Sequence, residues 1–518
     1  MTEVTGWALG PGTTEEAFDF VTADIDRLKV GEFVYYTPES RDSKILARIR
    51  ERERIVSDKE IIEAVKGEIP KKERKKFQGD RGYRVTAKVL GVYDESYEGF
   101  RNLREPPRLG QEVYYATNDH LSEIVMPPKR RGILHLGSVL NREGSGVDVF
   151  VDMDEIATKH LGVLASTGAG KSYTVGVVLE EMVKPGNRGA SFVFDIHGEY
   201  YTLSEDEEYG DHFNLVEEPK IKVSNLEVED FDVAFSKEMD DVQRQRLREV
   251  LEDLDLDASA SGSSSYRESV RVDYSIDNII DRLGEGNPVD DNLSWRLDTL
   301  NDFMSLTKDT ETDVEGLCEA GKCNVIEFPT GASELERNLI LWYFTNKILS
   351  SRKTAVRMKR GRRSTISRKD VEGGLIEVPV TIFIEEAHNF APVDRELKTR
   401  GLLQEISREG RKFGVGLCII SQRPSRLDED VLSQCNSSII MKVRNAVDQE
   451  TIAHSVEAAG EDLLRDLPGL TTGQAILAGD FVNTPVLTKI RERETEHGGR
   501  TPEVAEESVK GYSENSDS

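Results

Sequence analysis

Cysteine is scarce in this chain of 518 residues, which contains four, at positions 318, 323, 418 and 435. So few cysteines in so long a chain exclude a disulfide framework and favour a reducing compartment. Cys318 and Cys323 form the one close pair in the sequence, and without a second pair a zinc site is disfavoured. We therefore expect all four cysteines to have structural roles.

Long apolar segments are also absent from the sequence. It has no run of about 18 apolar residues, and residues 1–23 are mixed and acidic rather than basic and then apolar. The sequence therefore predicts neither a membrane span nor a signal peptide, and we expect a cytoplasmic protein. A chain of this length exceeds one ordinary hydrophobic core, which predicts several domains.

Positive charge is in deficit, since 68 lysines and arginines face 96 acidic residues, for a net charge of −28. This balance argues against a nucleic-acid partner, because phosphate binding depends on Lys and Arg. The acids are scattered along the chain, however, in a pattern that resembles proteins adapted to high salt. In molar salt, interactions between charges are screened over distances longer than about 3 Å, so only local basic patches would contribute to nucleic-acid binding. One patch, Arg352 to Lys369, has nine basic residues and no acid, and predicts either a solvated loop or a DNA contact.

The N-terminal part of the chain alternates apolar and polar residues with a period of two. The alternation occurs in four short stretches rich in Val, Tyr and Ile: 31–37, 44–50, 83–93 and 111–117. It predicts a small β-barrel over residues 29–127, preceded by an N-terminal arm at residues 1–28. Pro127 and Pro128 mark the end of this domain.

The pattern then changes to continuous apolar strands separated by helical stretches. Such strands are predicted at 147–151, 160–165, 191–195, 380–386 and 416–422. They are typical of a parallel sheet covered by helices on both faces, which predicts an α/β core over residues 128–225 and 323–493. The charged residues 226–322 predict a helical insertion into this core, and the polar residues 494–518 predict a disordered tail.

The strongest signal for function is A-S-T-G-A-G-K-S, Ala165 to Ser172, between an apolar strand and a predicted helix. A phosphate-binding loop needs successive backbone N–H groups that point inward, which Gly168 and Gly170 permit. Lys171 would reach the β- and γ-phosphates, and Ser172 would ligate Mg²⁺. Ala165 stands where glycine is usual, and we expect its conformation to be tolerated. The residues expected to bind ATP are Thr167, Gly168, Ala169, Gly170, Lys171, Ser172 and Tyr173.

A phosphate-binding loop also requires an acidic strand, which T-I-F-I-E-E-A-H supplies at Thr381 to His388. Glu385 occupies the place usually held by the Asp near the metal, so it is a predicted Mg²⁺ ligand together with Ser172. Glu386 is the predicted base that orients or deprotonates the attacking water. Two adjacent acids at the end of an apolar strand are hard to explain as mere surface carboxylates.

Two further residues are predicted to act in hydrolysis. Gln422, in S-Q-R-P-S at a strand end, is placed to sense the γ-phosphate, as in RecA-like motors. Arg411, in E-G-R-K-F-G, is a candidate arginine finger that would stabilise transition-state charge from a neighbouring subunit. A solvated surface arginine is the alternative for Arg411. Each of these motifs alone is weak evidence for a class of protein, whereas their order along the chain is specific.

These motifs, with D-I-H-G-E-Y (Asp195 to Tyr200) and H-L-G-S-V-L (His135 to Leu140), resemble the HerA ATPases of archaea and bacteria over roughly residues 29–493. The resemblance implies a RecA-like P-loop ATPase that forms a homo-oligomeric, hexameric ring around double-stranded DNA and moves it. It also implies a partner nuclease of the NurA type, with which the family resects DNA ends during recombination repair. Together with the acidic composition, it suggests a halophilic archaeon as the source.

The residue-by-residue match to the family covers the predicted ATPase positions: Lys171, Ser172, Glu385, Glu386, Gln422 and Arg411. HerA proteins tend to carry Arg-His before the P-loop strand, where this chain has Lys159 and His160. A cation supplied there to another subunit would therefore be a point charge rather than a planar fork. His197 and Glu199 also match family positions, and the sequence gives them no individual task.

Other classes of protein agree less well with the sequence. A DEAH-box helicase would carry two RecA-like lobes in one chain, whereas this one has a single P-loop and a single acidic strand. Asn346-Lys347 lacks the Asp with which a GTPase reads guanine, and the retained Lys171 and Glu386 argue against a scaffold with a decayed site. The main alternative is a related ring ATPase of the conjugation or secretion type that moves polypeptide or couples to a membrane complex.

Overall fold

The chain divides into two compact units: residues 1–171 with 416–492, and residues 172–415 with 493–518. A computed structural model describes residues 4–11, 16–38, 43–55, 82–94, 99–101, 105–125, 131–142, 146–261, 273–359, 374–456 and 459–499. Within these ranges, no helix combines the length and the apolar character needed to cross a membrane.

The first unit begins with an antiparallel sheet that closes into a barrel. Its strands are β1 (Val4–Pro11), β2 (Ala17–Thr22), β3 (Phe33–Tyr36), β4 (Ile45–Ile55), β5 (Gly82–Asp94), β6 (Gly99–Arg101) and β7 (Glu112–Tyr115). The order is β2-β1-β7-β3-β4-β5-β6, and β2 also pairs with β5, which closes six of the strands. Phe18, Phe20 and Tyr36 are buried inside the barrel. The predicted barrel is confirmed.

The barrel starts earlier in the chain than predicted. β1 pairs with β7 and β2 pairs with β5, so both strands belong to the sheet, and Trp7 and Phe20 are buried. The prediction of a separate arm over residues 1–28 is therefore wrong for these two strands. Their partners are distant in sequence. Alternation of apolar and polar residues within a strand does not show which other strand it pairs with when the barrel closes.

The rest of the first unit's N-terminal segment leads to the P-loop. It contains α1 (Asn118–Val125), β8 (Ile133–Val139), β9 (Asp148–Asp152), α2 (Met153–Lys159) and β10 (Leu161–Leu164), and α3 (Lys171–Val183) follows the loop after β10. Helix α2 is capped by the Asp152 carboxylate, which accepts the N–H of Asp154 at 2.8 Å. The helix ends at His160, which has a positive φ of 65° and whose Nδ1 accepts the N–H of Leu417 at 2.9 Å.

The second unit contains a four-stranded parallel sheet in the order β12-β15-β11-β16. The strands of this unit are β11 (Ala190–Asp195), β12 (Phe213–Val216), β13 (Ile221–Lys222), β14 (Leu306–Thr307), β15 (Cys323–Glu327) and β16 (Val380–Ile384). Every residue of β11 and β16 is buried, as the continuous apolar runs of a sheet covered on both faces require.

Helices make up much of the second unit. They are α4 (Val228–Ala234), α5 (Asp241–Ser261), α6 (Ile276–Leu283), α7 (Pro288–Asp298), α8 (Val314–Leu317), α9 (Glu334–Lys359) and α10 (Lys398–Glu409). Helices α4 to α8 lie within residues 226–322, where the charged sequence predicts a helical insertion. Cys318 and Cys323 are buried thiols in this unit, and burial raises the pKa of each to about 12.

The C-terminal segment of the first unit supplies the neighbours of β10. It contains β17 (Val415–Ser421), α11 (Glu429–Ser433), β18 (Ser437–Ile440), α12 (Ala446–Ser455), α13 (Glu461–Leu464), β19 (Gln474–Gly479) and β20 (Val486–Ile490). The strand order is β17-β10-β18-β19-β20-β8-β9. β10 runs parallel to β17 and β18, as predicted, whereas the pairings from β18 to β9 are antiparallel and make the arrangement mixed.

Residues 493–499 pack against helix α3 in the second unit. The side chains of Arg493 and Glu180 are 1% and 0% exposed, and Arg493 Nε lies 3.4 Å from Glu180 Oε1. The same carboxylate accepts the N–H groups of Glu494 and Thr495 and, at 2.6 Å, the Thr495 hydroxyl. The prediction of a disordered tail is therefore wrong for residues 494–499, because the buried Glu180 carboxylate on α3 accepts hydrogen bonds from Glu494 and Thr495. Residues 500–518 of the predicted tail lie outside the described residues.

Removal of Arg493 is expected to destabilise the second unit. Arg493→Met leaves the carboxylate of Glu180 buried without its counter-charge, which costs about 3–5 kcal/mol in the free energy of unfolding. Urea denaturation measures the change, with Lys412→Met as the control, since Lys412 and Glu409 form an exposed pair worth about 0–1 kcal/mol. Equal losses in the two variants would contradict the account of the buried pair.

Candidate active site

The P-loop motif leaves the end of β10, which lies between two parallel neighbours, and leads directly into α3. Gly168 and Gly170 have positive φ angles of 74° and 98°, a conformation that favours glycine. A Cβ at Gly170 would lie 3.3 Å from Met441 Cε and 3.5 Å from the backbone nitrogen of Gly473. Ala165 is not among the residues with positive φ, so an alanine at this position causes no backbone strain.

The P-loop is braced by two other loops of the first unit. Four hydrogen bonds form the brace: Ser166 N to Lys442 O, Arg444 N to Ser166 Oγ, Gly473 N to Ala169 O, and Thr472 Oγ1 to Gly168 O. These bonds satisfy four polar groups of the loop and hold its shape. Sequence reasoning missed Thr472 and Gly473, because T-T-G-Q carries no recognisable motif.

Gln422 lies next to the P-loop within the first unit. It follows the last residue of β17, Ser421, which is in register with Leu164 at the end of β10. The Thr167 hydroxyl donates a hydrogen bond to Gln422 Oε1. This position suits a residue that senses the γ-phosphate, and that role remains a prediction.

The last two residues of the motif, Lys171 and Ser172, and the following Tyr173 start helix α3. Lys171 is its first residue and is 8% exposed. The Ser172 hydroxyl donates a hydrogen bond to the carboxylate of Glu199. The Tyr173 hydroxyl accepts the N–H of Arg493 at 2.7 Å, and its ring contacts His497 edge-on at 5.6 Å. Tyr173, predicted to contact nucleotide, thus packs against residues 493–497.

The paired glutamates follow β16 in the second unit and are both buried, at 1% and 6% exposed. Glu386 adopts the left-handed conformation, with φ 46° and ψ 45°. A non-glycine residue held there costs about 1–3 kcal/mol and is typical of functional sites. His388 Nδ1 lies 3.3 Å from Glu386 Oε2. The strain and burial at Glu386 agree with a catalytic role, which the sequence predicts.

The D-I-H-G-E-Y motif follows β11 in the same unit as the glutamates. The buried Tyr200 donates its phenol hydrogen to Glu385 Oε1. Burial raises the pKa of Tyr200 well above its ordinary value, and the charge of Glu385 adds to the effect. Burial also raises the pKa of Asp195 to about 6, against the effect of its backbone N–H partners. The motif can be recognised in the sequence, but the hydrogen-bond partners of Tyr200 and Asp195 cannot.

Two predicted trans-acting cations differ in their surroundings. Arg411 lies in the short 3-10 turn Gly410–Phe413 after α10, in the second unit, and is exposed. Lys159, in the first unit, is held by two acids, with Nζ 2.7 Å from Glu155 and 2.9 Å from Asp480. Arg411 is therefore exposed to solvent in this chain, whereas Lys159 already has two counter-charges.

Part of the basic segment from Arg352 to Lys369 is used in packing within the second unit. Arg352 is buried and donates to the carbonyl oxygens of Phe413 and Ile376 at 2.9 and 3.1 Å. Lys353 pairs with Glu405, and Lys359 donates to the carbonyl oxygen of Glu377 at 3.2 Å. Burial of Arg352 removes it from any DNA contact. Residues 360–373 lie outside the described residues.

Comparison with known proteins relates this chain to a protein family. Residues 134–348 match the family described as the central domain of helicase HerA. The chain is 30% identical to the DNA double-strand break repair helicase HerA of Sulfurisphaera tokodaii, with 99% of this chain and 97% of the relative covered. It is 28% identical to a probable helicase of Methanocaldococcus jannaschii, over 97% of this chain and 94% of the relative.

A solved structure supports the fold. VirB4 of Thermoanaerobacter pseudethanolicus superposes with a TM-score of 0.50 and 15% identity, covering 71% of this chain and 98% of that one. The predicted α/β fold with a P-loop NTPase core and an N-terminal barrel is thereby confirmed. At so low an identity, the likeness concerns the fold alone.

Proposed function

This chain belongs to the HerA helicase family, and we propose that it is an ATP-driven motor that moves double-stranded DNA. One observation carries the proposal. A P-loop with both glycines at positive φ connects a strand between two parallel neighbours to a helix, and 99% of this chain aligns with 97% of a DNA double-strand break repair helicase.

ATP hydrolysis by this motor uses the residues that the sequence predicts. Lys171 contacts the β- and γ-phosphates, and Gln422 responds to the γ-phosphate next to Thr167. Glu386 orients the attacking water and takes up its proton. Arg411 compensates charge on the transferring phosphoryl group.

Magnesium is bound by Ser172 and Glu385 in this proposal. A hydroxyl and a carboxylate oxygen are the hard ligands that Mg²⁺ prefers, so the donor set agrees with this ion. When bound, Mg²⁺ neutralises charge on the β- and γ-phosphate oxygens. Tyr200 orients Glu385 through its phenol hydrogen, so that the carboxylate is held in one position.

The motor acts as a ring, with six subunits as in the family resemblance. The exposed position of Arg411 supports a shared active site, because a finger that serves a neighbour must reach the surface of its own subunit. A ring around the duplex retains DNA by topology as well as by charge. This reduces the need for a strongly basic chain, and the net charge of −28 is compatible with it.

The family and the composition also motivate a proposal for the cellular setting. We propose a cytoplasmic protein of a halophilic archaeon that works with a NurA-type nuclease in the resection of DNA ends and recombination repair. Acidic residues keep such a protein hydrated in molar salt, where its self-repulsion is screened. Movement of polypeptide, as in the conjugation or secretion class, is less well supported, because the relatives that align along nearly the whole chain are helicases.

Duplex DNA is expected to raise the rate of ATP hydrolysis in molar KCl. The measurement is phosphate release by the full chain with Mg²⁺ and ATP, with and without linear duplex DNA. Lys171→Ala is the inactive control, because it removes the cation that reaches the phosphates. Hydrolysis that is equal with and without duplex DNA would favour the polypeptide-moving class instead.

A further inference from the structure

One acid at the end of β11 organises the D-I-H-G-E-Y loop. The Asp195 carboxylate accepts four backbone N–H groups at 2.8–3.0 Å, from His197, Gly198, Glu199 and Tyr200. Gly198 has a positive φ of 64°, which lets the chain turn between His197 and Glu199. Charge-assisted bonds of this kind are stronger than neutral ones, so the loop has one well-defined shape.

The fixed loop directs two side chains towards the predicted metal ligands. Glu199 accepts the hydroxyl hydrogen of Ser172, at the start of α3. The adjacent Tyr200 donates its phenol hydrogen to Glu385, after β16. One loop therefore contacts both residues that the proposed function gives to Mg²⁺, although the two ligands lie more than 200 positions apart in the sequence.

We propose that Glu199 is a positioning residue for magnesium, and this inference rests on the proposed function. A serine hydroxyl has one hydrogen and two lone pairs, and the metal needs a lone pair. By accepting the hydrogen, Glu199 fixes the rotamer of Ser172 and leaves its lone pairs for the ion. Its negative charge also strengthens the bond and increases the basicity of the ligand oxygen.

Glu199 suits this task better than the other acids of the motif and its surroundings. Asp195 is engaged by four backbone groups, and Glu207 is exposed further along the same segment. Glu199 is partly buried, and its backbone N–H is held by Asp195 at 2.8 Å. Outer-shell partners of this kind change metal affinity or activity by about 10–100-fold when they are removed.

The test separates metal-dependent from metal-independent nucleotide binding. The full chain is titrated with the fluorescent analogue mant-ATP, once with MgCl₂ and once with EDTA. Glu199→Ala is expected to reduce the gain in affinity that Mg²⁺ provides by about 10–100-fold, with binding in EDTA unchanged. Glu199→Gln keeps an acceptor oxygen, so its loss is expected to be smaller, and it serves where Glu199→Ala does not fold.

Glu207→Gln is the matched control, since it neutralises an exposed glutamate of the same segment, and no loss is expected. Two results would overturn the inference: equal losses with and without Mg²⁺, which indicate that Glu199 only stabilises the loop, or no loss in either Glu199 variant. Failure of the unaltered chain to bind mant-ATP would instead overturn the proposed function. The two failures are therefore distinguishable.

Discussion

Glu386→Gln is expected to lower kcat for ATP hydrolysis by about 10²–10⁴-fold, the contribution typical of a positioned general base. The amide occupies nearly the same volume but cannot accept the proton of the attacking water. ATP affinity is expected to remain, because binding depends on the P-loop amides and on Lys171. Steady-state phosphate release and equilibrium binding of mant-ATP measure the two quantities separately.

Two variants control this prediction. Glu396→Gln changes an exposed glutamate ten residues after Glu386 in the sequence and should hydrolyse ATP normally. Lys171→Ala should lose both turnover and nucleotide affinity, because it removes the cation that reaches the phosphates. If Glu386→Gln retained its turnover, another residue would be the base, and the strained conformation of Glu386 would need a different explanation.

Arg411→Ala is expected to reduce kcat by about 10³–10⁵-fold, the contribution typical of an arginine finger. The physical reason is the loss of a cation that compensates charge on the phosphoryl group at the transition state. Lys412→Ala is the matched control, since Lys412 is the next residue, is exposed and is also basic. Little change is expected for that variant.

Mixing of inactive proteins tests whether Arg411 acts between subunits. In a ring assembled from Arg411→Ala and Glu386→Gln chains, some sites combine an intact Glu386 with an intact Arg411 from the neighbour. Such sites should hydrolyse ATP, so the mixture is expected to exceed either variant alone. Activity of the mixture equal to that of the separate variants would show that Arg411 acts within its own subunit or not at all.

The sequence predicts the core strands well because their burial is nearly uniform. β11 and β16 are covered on both faces, so apart from Asp195 at the end of β11 every position is apolar or small, and the run stands out against a charged chain. The P-loop is equally visible, since its glycines are needed at Gly168 and Gly170 for conformations that other residues avoid. In both cases, burial or backbone conformation restricts which amino acids can occupy a position, so the feature can be recognised from the local sequence.

Features that depend on distant partners leave no such signal. β1 and β2 read as an arm because the strands that they join, β7 and β5, lie far along the chain. Arg493 and Thr495 belong to a polar stretch, and only the buried Glu180 on α3 explains their ordered position. The task of Glu199 likewise depends on Ser172, which is contacted through the fold rather than along the chain.

Triplex displacement tests the central claim, that ATP hydrolysis moves this protein along double-stranded DNA. A fluorescent third strand is bound in the major groove of a linear duplex, in high salt with Mg²⁺, and its release is followed after addition of protein and ATP. The account predicts ATP-dependent release by the unaltered chain and none by Glu386→Gln. Hydrolysis of ATP on this duplex without release of the third strand would contradict it.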